Sequence, residues 1–256
     1  MDRASKHMDF PRPPGGLMQN PGPAECSECH KPVEATLHRQ RWYPSKEHPE
    51  CRSRRVWRAS ALREAEKRIL KIIPSAYHGM SLADESMRRH PANTAALKAL
   101  HEWEPHQSAI LTGPVGTGKT AALCAFAQDQ MRRLRAVQWY SEADVVSHLK
   151  AHMREGLATD PIARLLGSHV LVIDDVGTAR PTEWWTEQFA AIVDRAYSNE
   201  RAVVLSTNLT EQQLIDHYPY SGERLVSRLR HMTAPDRWVS VSGVNFRELG
   251  RNTRGT

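Results

Sequence analysis

The chain has 256 residues, 40% hydrophobic and 25% charged, enough for one sizeable core with a small appendage. No apolar run approaches the roughly 20 residues of a membrane span, and residues 1–10 lack a signal-like apolar stretch, so a cytoplasmic protein with no membrane partner is expected. The net charge of +6 lies wholly in residues 1–80 (15 Lys+Arg against 9 Asp+Glu; residues 81–256 balance at 20 against 20), which suits an anionic partner, nucleic acid or an acidic protein surface, or solubility alone.

Residues 1–24 carry five prolines and little that is apolar, the composition of a flexible leader. Residues 25–55 hold three of the four cysteines. Their pattern is C-x2-C (Cys26, Cys29), eighteen residues, then H-x2-C (His48, Cys51). Two ligand pairs with two-residue gaps suit a tetrahedral zinc ion, and thiolate with imidazole suits zinc better than magnesium. So small and polar a segment buries little core, so the metal would supply its folding energy. His30 and His38 are alternatives to His48, and three free cysteines in a polar leader are the other reading. Arg52, Arg54, Arg55 and Arg58 follow, fitting DNA contact or protein docking.

Residues 56–73 have helical spacing, with Leu62, Ala65, Ile69 and Ile72 on one stripe, and Pro74 ends that helix. Residues 56–90 read as a helical connector and 91–256 as the main domain. There strands and helices alternate. Strands are expected at 108–112, 136–140, 169–173 and 202–206. Helices are expected at 120–134, 142–153, 182–198 and 210–217, the last opened by a capping box of Thr210 and Gln213. A final strand is expected at 238–241 after a turn. Such alternation predicts a doubly wound parallel sheet with helices on both faces.

Between the first strand and its helix stands "GPVGTGKT", the phosphate-loop pattern in its required context. Gly113, Pro114, Val115, Gly116, Thr117 and Gly118 would wrap backbone N–H groups around the phosphates of ATP. Lys119 would reach the β- and γ-phosphates, and the Thr120 hydroxyl would ligate Mg2+. "HVLVIDD" ends in Asp174, a second holder of the Mg2+ shell, and Asp175, a general base for the attacking water. "AVVLSTN" puts Asn208 at a neighbouring strand tip, where it would touch the γ-phosphate or orient the water, or simply form a turn. Trp139, Tyr140, Trp184 and Trp185 offer rings for single-stranded DNA or for packing. Cys124 reads as a small buried residue. In "SGERLVSRLR", Arg224 and Arg228 share a helix face.

The stretches "GPVGTGKT", "VLVIDDVG", "LSTNLTEQQL" and "GERLVSRLR", in that order and preceded by "IIPSAYHGMSL", resemble the AAA+ bacterial helicase loaders of the DnaC and DnaI type and the related transposition ATPase helper IstB. The resemblance spans roughly residues 72–250. Asp175 stands where most AAA+ proteins have Glu, and the double Asp before an apolar residue and Gly is a trait of this subgroup. The resemblance implies a P-loop AAA+ fold without a helical lid and ATP hydrolysed at subunit interfaces of a homo-oligomer formed when ATP is bound. It implies Asn208 as sensor, Arg228 as arginine finger, and no firm role for the recurrent Arg247. It further implies a zinc-bearing N-terminal module that grips a replicative DNA helicase and an ATPase domain that meets single-stranded DNA. Two other readings stand beside the loader: a transposition ATPase that remodels duplex DNA and recruits a transposase, and a zinc adaptor whose ATP is structural.

Overall fold

The computed structural model describes residues 19, 21–38, 41–43, 45–84, 87, 94–156 and 159–242, the side chains of 38 and 41–43 excepted. Arg247 lies outside the described residues. The chain forms two compact units, Met1–Ala61 and Leu62–Thr256.

In the first unit, β1 (Ala24–Glu25) pairs antiparallel with β2 (Pro32–Val33), and β3 (Thr36–His38) with β4 (Arg41–Tyr43). The turn between β1 and β2 closes when the Cys26 N–H donates to Lys31 O and the His30 N–H to Cys26 O, both at 2.9 Å. Helix α1 (Pro49–Ile72) follows. The apolar stripe places its start at Val56, but the helix begins at Pro49. Proline at the first helical position brings a preset φ and lacks an N–H that would have no partner there. The Arg52 N–H then closes the first turn on His48 O at 2.9 Å. Cys51 is thereby carried on the first turn of a helix. The stripe itself holds, with Ile69 buried and Leu62, Ala65 and Ile72 half-buried.

The second unit is built on five parallel strands: β5 (Ser108–Thr112), β6 (Val137–Ser141), β7 (Val170–Val176), β8 (Ala202–Thr207) and β9 (Thr233–Ser240), in the spatial order β6-β7-β8-β5-β9. Strand residues alternate between two cores, as a two-residue period requires. Val170 and Val172 of β7, with Ala202 and Val204 of β8, face one core together with α2 (Thr94–His101) and α3 (Lys119–Arg132). Leu171 and Ile173, with Val203 and Leu205, face the other. That second core is completed by α4 (Glu142–Arg154), α5 (Pro161–Leu165), α6 (Glu183–Ser198), α7 (Glu211–His217) and α8 (Gly222–Met232). Near-continuous apolar runs such as "VLVI" are what a strand buried on both faces needs.

The expected capping box forms at Thr210 and Gln213, and a second joins Ser141 and Asp144. The end of the domain differs from expectation. α8 runs to Met232 and β9 begins at Thr233 without an intervening turn, five residues before the expected strand start at Trp238. β9 lies at an edge with Pro235, Asp236 and Ser240 exposed, so its pattern lacks the apolar density of the inner strands. No helix follows β9 among the described residues, and no described helix is long and apolar enough to cross a membrane.

Candidate functional site

The carboxyl ends of β5, β7 and β8 are adjacent in the sheet, and the strand order turns back between β5 and its neighbours, the place where open α/β sheets bind ligands. The loop from Gly113 to Gly118 leaves β5 there. Gly113 has φ 141°, and a Cβ on it would stand 2.1 Å from Val241 O; only glycine fits. Gly116 and Gly118 also adopt positive φ, 84° and 88°. Gly118 caps α3 with no side chain, which leaves the first-turn N–H groups facing the loop as an anion site.

Lys119 folds over this loop. Its Nζ donates to Gly113 O (2.7 Å), Pro114 O (2.8 Å) and Asn208 Oδ1 (2.8 Å). Burial lowers its pKa from the ordinary lysine value, while the carboxylates of Asp175 and Asp174 oppose that shift. The structure thus brings the loop lysine, both aspartates and Asn208 into one electrostatic neighbourhood.

The two aspartates diverge because β7 is bulged. Ile173 pairs with Leu205 but Val176 with Thr207, so β7 spends three residues where β8 spends two. Asp174 stays in register on the α3 side, where the Thr120 hydroxyl hydrogen-bonds its carboxylate. The Ser206 hydroxyl also donates to Asp174 Oδ1 and accepts the Asp175 N–H at 3.0 Å. Burial raises the Asp174 pKa from the ordinary aspartate value, the Ser206 bond opposing it. Asp175 is the extra residue, with φ +55°, and Val176 takes the apolar face that regular alternation would give Asp175. A strand without the bulge would point Asp175 into the second core.

Arg228 sits elsewhere. Its Nε lies 3.4 Å from Asp194 Oδ1 and its guanidinium 4.5 Å over the Tyr197 ring, both on α6. Arg224 binds the other oxygen of Asp194 at 2.5 Å. Among the described residues, neither arginine touches the phosphate loop of its own chain. Arg230 is engaged with Glu211 and lies 4.2 Å over Trp238. Trp185 is core; Trp139, Tyr140 and Trp184 are half-buried. Cys124 is buried, its thiol pushed up by desolvation.

In the first unit, Cys26, Cys29, His48 and Cys51 bring one ligand atom each to within 4.8 Å of one another. His48 Nε2 faces Pro32 O at 2.9 Å, so that nitrogen carries the hydrogen and Nδ1 turns its lone pair to the cluster, 3.3 Å from Cys29 Sγ. The Cys26 thiol is pushed down to about 6, first by the Cys29 N–H, while Cys51 is pushed up to about 11 by burial and the neighbouring thiols. A tetrahedral zinc with sulfurs at about 2.3 Å needs ligands roughly 3.8 Å apart, a contraction of about 1 Å at most. The donor set therefore fits zinc. His30 pairs with Glu25 at 2.8 Å, outside the cluster, and the His38 side chain lies outside the described residues.

Sequence reasoning missed Ser206, Asp194 and Glu142. Ser206 lies inside a strand motif, Asp194 mid-helix, and Glu142 at a helix start where acidic residues are common; none carries a spacing signal.

The profile of the IstB-like ATP binding protein family matches residues 59–234, more than half of the chain. Among curated relatives, the phage-like element PBSX protein XkdC of Bacillus subtilis (strain 168) is 31% identical over 154 residues, 58% of this chain and 55% of that protein. The replicative helicase loader DnaC of Escherichia coli (strain K12) is 28% identical over 125 residues, 48% and 50% respectively. The chain thus spans about half the length of the curated relatives it matches. A crystal structure of the DnaC helicase loader superposes with a TM-score of 0.55 at 24% identity, covering 66% of this chain and 100% of that one. The replication initiator DnaA bound to AMPPCP and single-stranded DNA superposes with 0.57 at 22%, covering 71% and 56%. These structural likenesses establish the fold.

Proposed function

The chain belongs to the IstB-like ATP-binding family, and from that premise we propose that it is a cytoplasmic AAA+ ATPase that loads a replicative DNA helicase onto single-stranded DNA. The observation that carries the ATPase reading is the division of charged groups. Lys119, Asp174, Asp175 and Asn208 converge at one strand edge, while Arg228 is displayed on another flank against α6. Each chain then offers most of one site and the missing arginine of its neighbour's, so ATP binds between subunits of a homo-oligomer.

The triphosphate of ATP lies along the Gly113–Thr120 backbone. Lys119 exchanges two carbonyls and Asn208 Oδ1 for β- and γ-phosphate oxygens. Thr120 and Asp174 would hold Mg2+, which would offset charge on those oxygens. Asp175, set apart by the bulge, accepts a proton from water as the water oxygen bonds to the γ-phosphorus and the β–γ bridging bond breaks, releasing ADP and phosphate. Asn208 orients that water or the γ-phosphate, and a neighbour's Arg228 stabilises the charge of the transition state. Asp175→Ala is expected to keep ATP binding and slow hydrolysis; equal turnover in mutant and wild type would reject the assignment.

The loader reading is supported by the Cys/His unit, which for the most part precedes the family match beginning at residue 59 and, with 11 Lys+Arg against 7 Asp+Glu in residues 1–61, carries most of the chain's positive charge excess, and by the Escherichia coli loader among the relatives. Zinc held by Cys26, Cys29, His48 and Cys51 would shape the docking surface for the helicase. A second reading, a transposition ATPase acting on duplex DNA, rests on the resemblance of the same motifs to IstB. Affinity capture with the full-length protein decides between them. A hexameric helicase supports loading, and a transposase supports the second reading.

A further inference from the structure

The side chain of Glu142, the first residue of α4, is fully buried and accepts from five donors. Its Oε2 takes the N–H groups of Gly177 (3.0 Å), Thr178 (2.8 Å) and Ala179 (2.7 Å). Its Oε1 takes the Trp185 indole N–H (2.9 Å) and the Tyr218 hydroxyl (2.5 Å). Every partner is a donor, so the group acts as a carboxylate. Three consecutive N–H groups converging on one oxygen form the concavity that binds anions, and here the anion is built into the chain. An isolated buried carboxylate would be very costly; five donors offset that cost.

The turn so gripped is the one that leaves Asp175. Asp175 adopts φ +55°, the left-handed region that non-glycine residues populate sparsely, Asp more readily than most, and at an energetic cost that its surroundings offset. Its carbonyl accepts the Thr178 hydroxyl at 2.8 Å, and Val176 O accepts the Thr207 hydroxyl at 2.6 Å. Gly177 follows with φ +90°, and a Cβ on it would stand 2.4 Å from Leu209 Cδ1. Ser206 holds the amide side of Asp175, and the Glu142 grip holds the other side.

We propose that Glu142 is a positioning residue for hydrolysis: by anchoring the Gly177–Ala179 amides it keeps Asp175 in its left-handed conformation, aimed away from the core and toward the γ-phosphate. The role rests on the reading of Asp175 as general base. It predicts that losing the Glu142 charge lowers turnover without weakening nucleotide binding, since the phosphate loop and Lys119 lie on other elements.

The test is Glu142→Gln in the full-length protein, alone and combined with Asp175→Asn. Binding of a fluorescent ATP analogue, steady-state turnover and thermal unfolding are all measured. Displacement of a catalytic group by an ångström costs about 100-fold, so turnover is expected to fall roughly 10- to 100-fold, with analogue affinity within about twofold. Acting through Asp175, the change should add nothing to Asp175→Asn. An Asp175→Asn protein at wild-type turnover overturns the base assignment and the inference together. A slow Asp175→Asn protein with a Glu142→Gln protein at wild-type rate overturns the inference alone, as does a parallel loss of analogue affinity. Should Glu142→Gln fail to fold, Thr178→Ala takes its place, removing the hydroxyl bond to Asp175 O. A severalfold slower turnover at unchanged analogue affinity supports the inference, and an unchanged rate overturns it.

Discussion

Replacing Arg228 by Ala should remove most ATP turnover while barely touching the fold. Its side chain is 37% exposed in its pair with Asp194, and a solvent-screened pair of this kind is worth about 0.2–1 kcal/mol. Its stacking over Tyr197 at 4.5 Å adds about 0.5–1 kcal/mol. The mutation thus costs at most about 2 kcal/mol of stability. An arginine finger, by contrast, is worth 10³–10⁵ in rate, roughly 4–7 kcal/mol of transition-state stabilisation. The same arithmetic says that leaving Asp194 and Tyr197 for a neighbour's phosphate costs little against what the contact supplies. The assay is turnover beside a denaturant titration, followed by mixing Arg228→Ala with Lys119→Ala subunits. Each mutant should be nearly inactive alone, with partial activity regained in the mixture where an intact loop meets an intact finger. Wild-type turnover in Arg228→Ala, or no recovery in any mixture, would refute action in trans.

Two further outcomes follow from the same geometry. Cys51→Ser should abolish stoichiometric zinc and expose residues 1–61 to protease, since structural zinc contributes about 10–16 kcal/mol to the folding of such small sites, while nucleotide binding by the second unit persists; zinc analysis of the wild type checks the first point directly. Gly222→Ala should lower the unfolding midpoint by the equivalent of about 3 kcal/mol, because the new Cβ would meet the Ile215 carbonyl oxygen at 2.1 Å and its carbonyl carbon at 2.7 Å. Backbone atoms cannot step aside as a side chain can, so an unchanged midpoint would refute that packing.

Much of this was legible beforehand because it is local. A phosphate loop is read in eight consecutive residues, since strand, glycines, lysine and helix must be contiguous to cradle a phosphate. Strand positions followed from "SAILT", "VLVI" and "AVVLS", whose burial on both faces demands unbroken apolar runs. The start of α1 escaped because Pro49 and the Cys51 turn lie outside the apolar stripe, and β9 because an edge strand has a weaker pattern.

What the amino-acid order determined by itself was therefore the inventory: a loop for phosphate, two aspartates and an asparagine at strand tips, four sulfur and imidazole donors, and an arginine pair four residues apart. Tertiary structure alone decided which of these meet and which way they point. The bulge at Asp175 depends on how β7 registers against β8, a relation between residues some thirty positions apart. Glu142 draws its donors from Gly177–Ala179, Trp185 and Tyr218, 35 to 76 residues away. His48 becomes the facing nitrogen because Pro32 O takes its other one. A hydrogen bond constrains atoms within about 3 Å of each other whatever their separation along the chain, so no window of consecutive residues holds that information.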